Sequence, residues 1–444
     1  MFFSHVFLCA SASGLKIRFP RGKQEKIYPC AKSRIPPPIA FSHIPPIQLN
    51  VMFKNRNLLI IALIMLTNSL GYGIMIPILY TYSIEFGLSD FENGMLLAVF
   101  SLCQFIATPF IGRLSDKYGR KPLLIISIGG TALSLFMTAF APTALFLFLA
   151  RALDGITSGN IPVASAVISD TTKPEDRAKG FGIIWASFGF GFVFGPTIAA
   201  VSVVYGLSVP FIIAGLIASL ATLFTWLFLP ETNTHIGEVA KAKIFDLKKM
   251  AQALIDENTG VTFLISFVYS IVFGILIFAF QPFAVKQLHL SAQTISLLYT
   301  MFGVIGLVSQ LFLIHKVVKR FGEKATIIQA LFVSMLAFAG FYFTSSLLVF
   351  VLVSVLYGVS NALINPVIQA ILSKETDAKS QGSVMGLNQA YVSLGMTFGP
   401  IIGGLLALIS IPLPFLFGSV LTCICLIMAI KGLKKVYTHK VSEF

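Results

Sequence analysis

Twelve apolar stretches of about 20 residues each run through this chain, and as helices each is long enough to cross a hydrocarbon core of roughly 30 Å. They fall at 57–79, 94–112, 123–141, 143–169, 179–203, 209–229, 261–282, 292–314, 326–344, 347–372, 383–406 and 412–430. Lipid offers no partner to a backbone N–H or C=O, so spans of this kind must bond internally as helices. The expected fold class is therefore an all-α membrane protein with twelve transmembrane helices. Composition bears on this at one point: 11% of residues are charged and 56% hydrophobic, against roughly 25% charged in a soluble domain.

With an even number of spans both termini lie on one side of the membrane. Thirty of the 32 lysines and arginines fall on that side; the exceptions are Lys286, in a loop on the opposite side, and Arg151, inside the fourth span. By the positive-inside rule the termini and the central loop are expected in the cytoplasm. The net charge of +14 then reflects topology. Nucleic acid is not expected as a partner, because the basic residues are scattered over short segments and form no single stripe.

Residues 191–200 read GFVFGPTIAA, and residues 395–404, displaced by 204 positions, read GMTFGPIIGG. The same offset pairs Pro162 with Pro366, Gly182 with Gly386 and Ala186 with Ala390, and KYGRK at 117–121 matches RFGEK at 320–324 within one residue of it. The chain reads as an internal duplication of six helices, and two such halves facing one another enclose a central cavity that rocking exposes to each side in turn. The expected organisation is an extension at 1–51, a bundle at 52–229, a cytoplasmic linker at 230–260, a second bundle at 261–435 and a tail at 436–444. Pro196 and Pro400 withhold a backbone donor from Phe192 and Met396 and allow a bend. Gly191, Gly195, Gly395 and Gly399 offer flat surfaces for close helix packing, as hinges or seals between the halves. The first copy carries Ala199 and Ala200 where the second keeps Gly403 and Gly404.

The first 51 residues carry RIPPPIAFSHIPPIQ, seven basic residues and one acid. A cleaved signal, a basic tail, a disordered segment and a true start at Met52 all fit this stretch. Cys9, Cys30, Cys103, Cys423 and Cys425 suggest no disulfide framework. In the linker, IFDLKKMAQALIDE places Ile244, Leu247, Ala251 and Leu254 on one face, which fits either a helix on the membrane surface or a solvated connection.

Polar groups are few, so each is informative. GRLSDKYGRKP at 112–122 joins the second and third spans. In it Gly112 permits a close helix approach, Tyr118 and Gly119 form a tight turn, and Asp116 stands four residues before Arg120, with Lys121 following. Asp116 can meet Arg120 or the positive end of a facing helix, and either contact can hold one conformation until it breaks. This stretch resembles the loop signature of the major facilitator superfamily, commonly written GxLaDrxGrkxxl, at every anchor position, and the resemblance covers about residues 53–435. Within that superfamily the chain is similar to the twelve-span drug:proton antiporters of the tetracycline-efflux branch. The words that carry this are GYGIMIPIL, LLAVFSLCQFIATPFIGRLSDKYGRKP, ARALDGITSGN and DRAKGFGIIWASFGFGFVFGP. The resemblance implies two six-helix bundles, alternating access and proton-coupled export. It makes the span-five GP stretch an antiporter-type motif, and it supports Gln104 as a cavity residue.

Arg151 and Asp154 are the two formal charges placed deep within a span. They are three apart and so share a helix face, and burying either alone costs at least about 2.5 kcal/mol on insertion scales. Asp154 is the best proton acceptor by position, with a static ion pair as the alternative; the resemblance associates the span-four arginine with proton coupling. One departure stands out: the tetracycline-efflux relatives usually offer an aspartate in span one where this chain has Asn68. Coupling then rests on span four, or the substrate is less cationic, or no proton moves. Other cavity candidates are the amides Asn160, Gln281, Asn365 and Gln389, which avoid lipid, with Trp185 nearby, although interhelical bonding accounts for about half of such amides.

No GxxxxGK[ST], no His pair at i, i+4 and no CxxC occurs, so no cofactor, metal or ATP-driven step is expected, nor an enzyme. The reading is a monomeric secondary transporter of a bacterial inner membrane that exchanges protons for an amphiphilic small molecule. An importer or uniporter, and a sensor or scaffold on the same fold, are the alternatives.

Overall fold

The computed structural model describes residues 56–172, 177–233, 247–257, 259–376 and 381–440. The extension at 1–51 and residues 234–246 of the linker lie outside the described residues, and so do residues 441–444. Among the described residues, ten helices are long and apolar enough to cross a membrane. One of these, Ala292–Tyr342, contains two spans, because Gly322 in its middle adopts φ 78°, a conformation open to glycine and costly for other residues. Another span falls outside the ten because it is broken into Ala144–Thr157 and Asn160–Thr171. With these two accounted for, the twelve expected spans are present.

The break in span four departs from the continuous stretch expected at 143–169, and its cause is local. Pro162 has no N–H for the carbonyl of Ser158, and Gly159 lies so close to Thr108 and Ile111 of span two that a Cβ there would overlap the Ile111 side chain. Its counterpart Pro366 sits inside an uninterrupted helix, Leu347–Lys374.

Packing repeats between the halves. Span one (Arg56–Ile84) packs on span five (Arg177–Ser202), as span seven (Gly260–Lys286) packs on span eleven (Gln381–Ile409). Span three (Arg120–Ala139) packs on span six (Val209–Phe228), as span nine packs on span twelve (Leu413–Lys440). The halves meet where span two (Asp90–Tyr118) crosses span eleven and span five crosses span eight (Ala292–Val308). In the second half a single core forms around Phe280, Phe283, Phe338, Phe341, Phe350 and Tyr357, with rings stacked or edge-on. The first half holds two smaller cores, one around Ile78, Leu135 and Phe211 and one around Ile64, Leu124 and Ile168.

The GP glycines form the crossings inside each half. A Cβ added at Gly195 would lie 2.8 Å from Gly73 Cα, and one at Gly399 2.8 Å from Gly274 Cα. The opposite faces of the same helices touch the other half, where Gly94 meets the backbone of Pro400 and Gly303 that of Phe192. The Ala/Gly difference between the copies has a reason in this packing. Ala199 and Ala200 are buried, Ala199 within the core around Phe211, whereas a Cβ at Gly404 would come within 3.1 Å of Phe91 Cα in span two.

In the linker a helix forms at Leu247–Leu254. Met250, Ala253 and Leu254 pack on the second-half core and Tyr391 Oη donates to the Met250 carbonyl at 2.5 Å, while Ala251, expected on the apolar face, is exposed. Ile244 lies outside the described residues.

Candidate functional site

Between the halves lies a cavity of about 180 Å³. Spans one to five of the first half supply most of its wall, and among the described residues of the second half span eleven contributes, through Gln389, Val392, Ser393 and Met396. Of the residues expected there from sequence, Asn68, Gln104, Gln389 and Asp154 line it. Tyr72, Phe100, Phe188 and Phe192 add rings that no sequence pattern distinguishes from lipid-facing aromatics. Asn160 is buried outside the lining with its Oδ1 unpartnered, Asn365 is exposed outside it, and the Trp185 side chain lies outside the described residues. Gln281 stands elsewhere, in the contact between spans one and seven.

Asp154 is the acid on this wall. Its Oδ2 accepts from Arg151 Nη1 at 3.1 Å and its Oδ1 from Ser158 Oγ at 3.2 Å. Helix spacing of three residues makes the first contact, and the end of the broken span-four helix makes the second. Arg151, 2% exposed, sits behind the cavity with its guanidinium carbon 4.2 Å from the Phe100 ring centroid and Nη1 3.2 Å from Met75 Sδ. A desolvated cation over a ring gains about 2 kcal/mol, so the arginine is anchored independently of its carboxylate.

The loop joining spans two and three is built around Arg120. Its Nη1 donates to Asp116 Oδ1 and to Ser115 Oγ, each at 2.6 Å, and its Nε to Asp170 Oδ2 at the end of span four, at 3.3 Å. Among the described residues, Asp116 thus meets Arg120. The N–H groups at the start of span three, of Arg120 and Lys121, have no partner within their helix and bond instead to Glu231 at 2.8 and 3.1 Å. Gly119, at φ 103°, leaves room for that carboxylate. Gly112 makes an ordinary contact with Pro162 of span four. The second half repeats the arrangement with charges exchanged: Glu323, at the start of span nine, pairs with Lys374, at the end of span ten. Sequence reasoning missed Asp170 and Glu231; the PET triplet at 230–232 was the available signal for the latter.

The halves are joined on the side away from the termini. There Tyr80 N–H donates to Gln281 Oε1 at 3.1 Å, Gln281 Nε2 to the Ile76 carbonyl at 2.5 Å, and Lys286 Nζ to both oxygens of Asp90 at 2.8 and 2.7 Å. On the terminus side, Gly182 and Gly386, equivalent positions of spans five and eleven, have nothing within 4 Å of an added Cβ.

Comparison with known proteins agrees with this architecture. The profile of the Major Facilitator Superfamily matches residues 61–256 and 262–442. The chain is 28% identical over 384 residues to the class B tetracycline resistance protein of Escherichia coli, covering 84% of this chain and 95% of that protein. It is 30% identical over 382 residues to multidrug resistance protein 1 of Bacillus subtilis, covering 85% and 96%. Among solved structures, the human organic anion transporter MFSD10 superposes with a TM-score of 0.65 at 21% identity, over 87% of this chain and all of that one.

Proposed function

This chain belongs to the Major Facilitator Superfamily, and from that premise we propose that it exports drug-like or amphiphilic small molecules in exchange for protons by alternating access. The observation that carries the reading is Asp154, a carboxylate on the wall of a cavity sealed at one end. Proton and substrate occupy that wall alternately. In the form seen here, with termini placed in the cytoplasm by the positive-inside rule, the cavity faces the cell interior. Substrate entering it competes with a proton for Asp154, while Tyr72, Phe100 and Phe192 supply apolar surface and Gln104 and Gln389 supply amides. Loss of the proton restores the Arg151 pair, and re-protonation from the outside resets it. The two named relatives, a tetracycline and a multidrug resistance protein, support export as the direction. The transporter works as a monomer in a bacterial inner membrane.

The test uses Asp154→Asn in reconstituted vesicles, with tetracycline and a panel of lipophilic dyes as probes. Uphill efflux driven by a proton gradient falls by at least about a hundredfold, in the range seen when a group acting in proton transfer is lost. Exchange of labelled for unlabelled compound continues. Retained uphill efflux removes Asp154 from the mechanism. Asn68 favours a second reading, a uniporter, because it leaves the cavity one carboxylate short of the tetracycline-efflux pattern; that reading predicts exchange and net flux insensitive to the proton gradient in the unmodified protein.

A further inference from the structure

Lys286 is the one lysine or arginine that the topology leaves on the outer side, and it ends on a carboxylate of the other half. Asp90 stands in the first turn of span two, where Ser89 and Glu92 form a reciprocal cap that fixes the start of the helix. Lys286 stands in the last turn of span seven. Each charge is therefore favoured by its own helix end before the two meet. Their contact is bidentate, at 2.7 and 2.8 Å, and Tyr80 Oη donates to the same Asp90 Oδ1 at 2.5 Å.

One helix turn further in, Gln281 joins the halves a second time. Tyr80 N–H and the Ile76 carbonyl are four residues apart, the pair that an α-helix joins to each other, and the Gln281 amide bonds to both. Pro77 and Pro282, one position after Ile76 and Gln281, mark these as matching points of the two halves. Beside them Gly94 and Gly404 bring spans two and eleven into backbone contact. Ion pair, amide bridge and glycine crossing lie at one end of the same interface.

We propose that Asp90, Lys286 and Gln281 form the outer gate of the transporter, and that the cavity reaches the outer solution when Lys286 leaves Asp90 and Gln281 leaves span one. The inference rests on the alternating-access reading above, but its test needs neither substrate nor proton gradient. In a chain whose five cysteines are replaced by serine, Asn68→Cys reports on the cavity. Right-side-out and inside-out vesicles are treated with a membrane-impermeant maleimide. Asp90→Asn or Lys286→Gln raises the rate of labelling from outside by about tenfold, a usual size for the coupling of such a contact to a conformational equilibrium. Gln281→Leu, which keeps both charges, raises it by a smaller factor. Exchanging the charges, Asp90→Lys with Lys286→Asp, brings the rate back toward that of the parent. The proposal is overturned if outside labelling is unchanged in Gln281→Leu and in whichever single charge variant folds. It is overturned equally if the exchanged pair is as leaky as the single variants. Opened labelling without proton exchange in any transport assay leaves the gate standing and rejects antiport alone.

Discussion

At the scale of residues, what a side chain can do here depends on a few ångströms of placement. Asn68 and Asp154 line one cavity, yet only Asp154 can carry a proton, and Arg151 is held beside it by Phe100 and Met75. Gly195 shows the same sensitivity in packing. Gly195→Ala forces a methyl group against Gly73 and costs about 1–3 kcal/mol as an overpacked contact. In detergent its melting temperature falls by several degrees, whereas Gly182→Ala, which meets nothing within 4 Å, melts with the parent; equal melting of the two contradicts the crossing described. Arg151 and Asp154 were legible in sequence because a charge inside a span is too costly to keep unless it is paired or faces water. Gln281 was not. An amide facing a cavity and an amide bridging two halves look alike until the conformation of the other half is known, and Gln281 bonds to a turn 205 positions away.

Among elements, the loop between spans two and three is held from outside itself. Glu231 accepts four backbone N–H bonds, from Arg120, Lys121, Thr232 and Asn233, and Asn233 Nδ2 donates to the Asp116 carbonyl at 3.0 Å. Glu231→Ala therefore costs about 0.5–2 kcal/mol, as loss of a helix-terminal acceptor does. Trypsin should cut faster within 113–121 in that variant, and Glu231→Gln should fall between; unchanged cleavage means that the carboxylate does not hold the loop. Asp116→Asn removes the charge opposite Arg120 but leaves the Asp170 contact. It slows turnover several-fold with little change in probe affinity, measured as exchange rate against binding. The turn at Gly119 was legible in sequence, since glycine between two helices beside a tyrosine marks a break. The break in span four was less so, because Pro162 and Pro366 are equivalent in sequence and only the former sits beside a glycine pressed on span two.

Across the whole molecule the duplication decides most of the architecture. An offset of 204 predicted two bundles, and the contacts of spans one, five, seven and eleven repeat in each. Which end of the cavity is sealed could not be read from an offset, because both ends are written into the same sequence and the choice rests on a small free-energy difference between packings. The asymmetry that sets this form apart is chemical: Lys286 on Asp90 and Gln281 on span one join the halves at the end away from the termini. The function proposed for this arrangement is exchange of a proton for an amphiphile through Asp154. To test it, the protein is reconstituted inside-out in vesicles holding an imposed proton gradient, read with a pH-sensitive dye, while tetracycline and the dye panel are added and their uptake is followed. Each compound taken up should dissipate the gradient with the parent chain and leave it intact with Asp154→Asn. Uptake against a concentration gradient with no movement of protons contradicts the exchange.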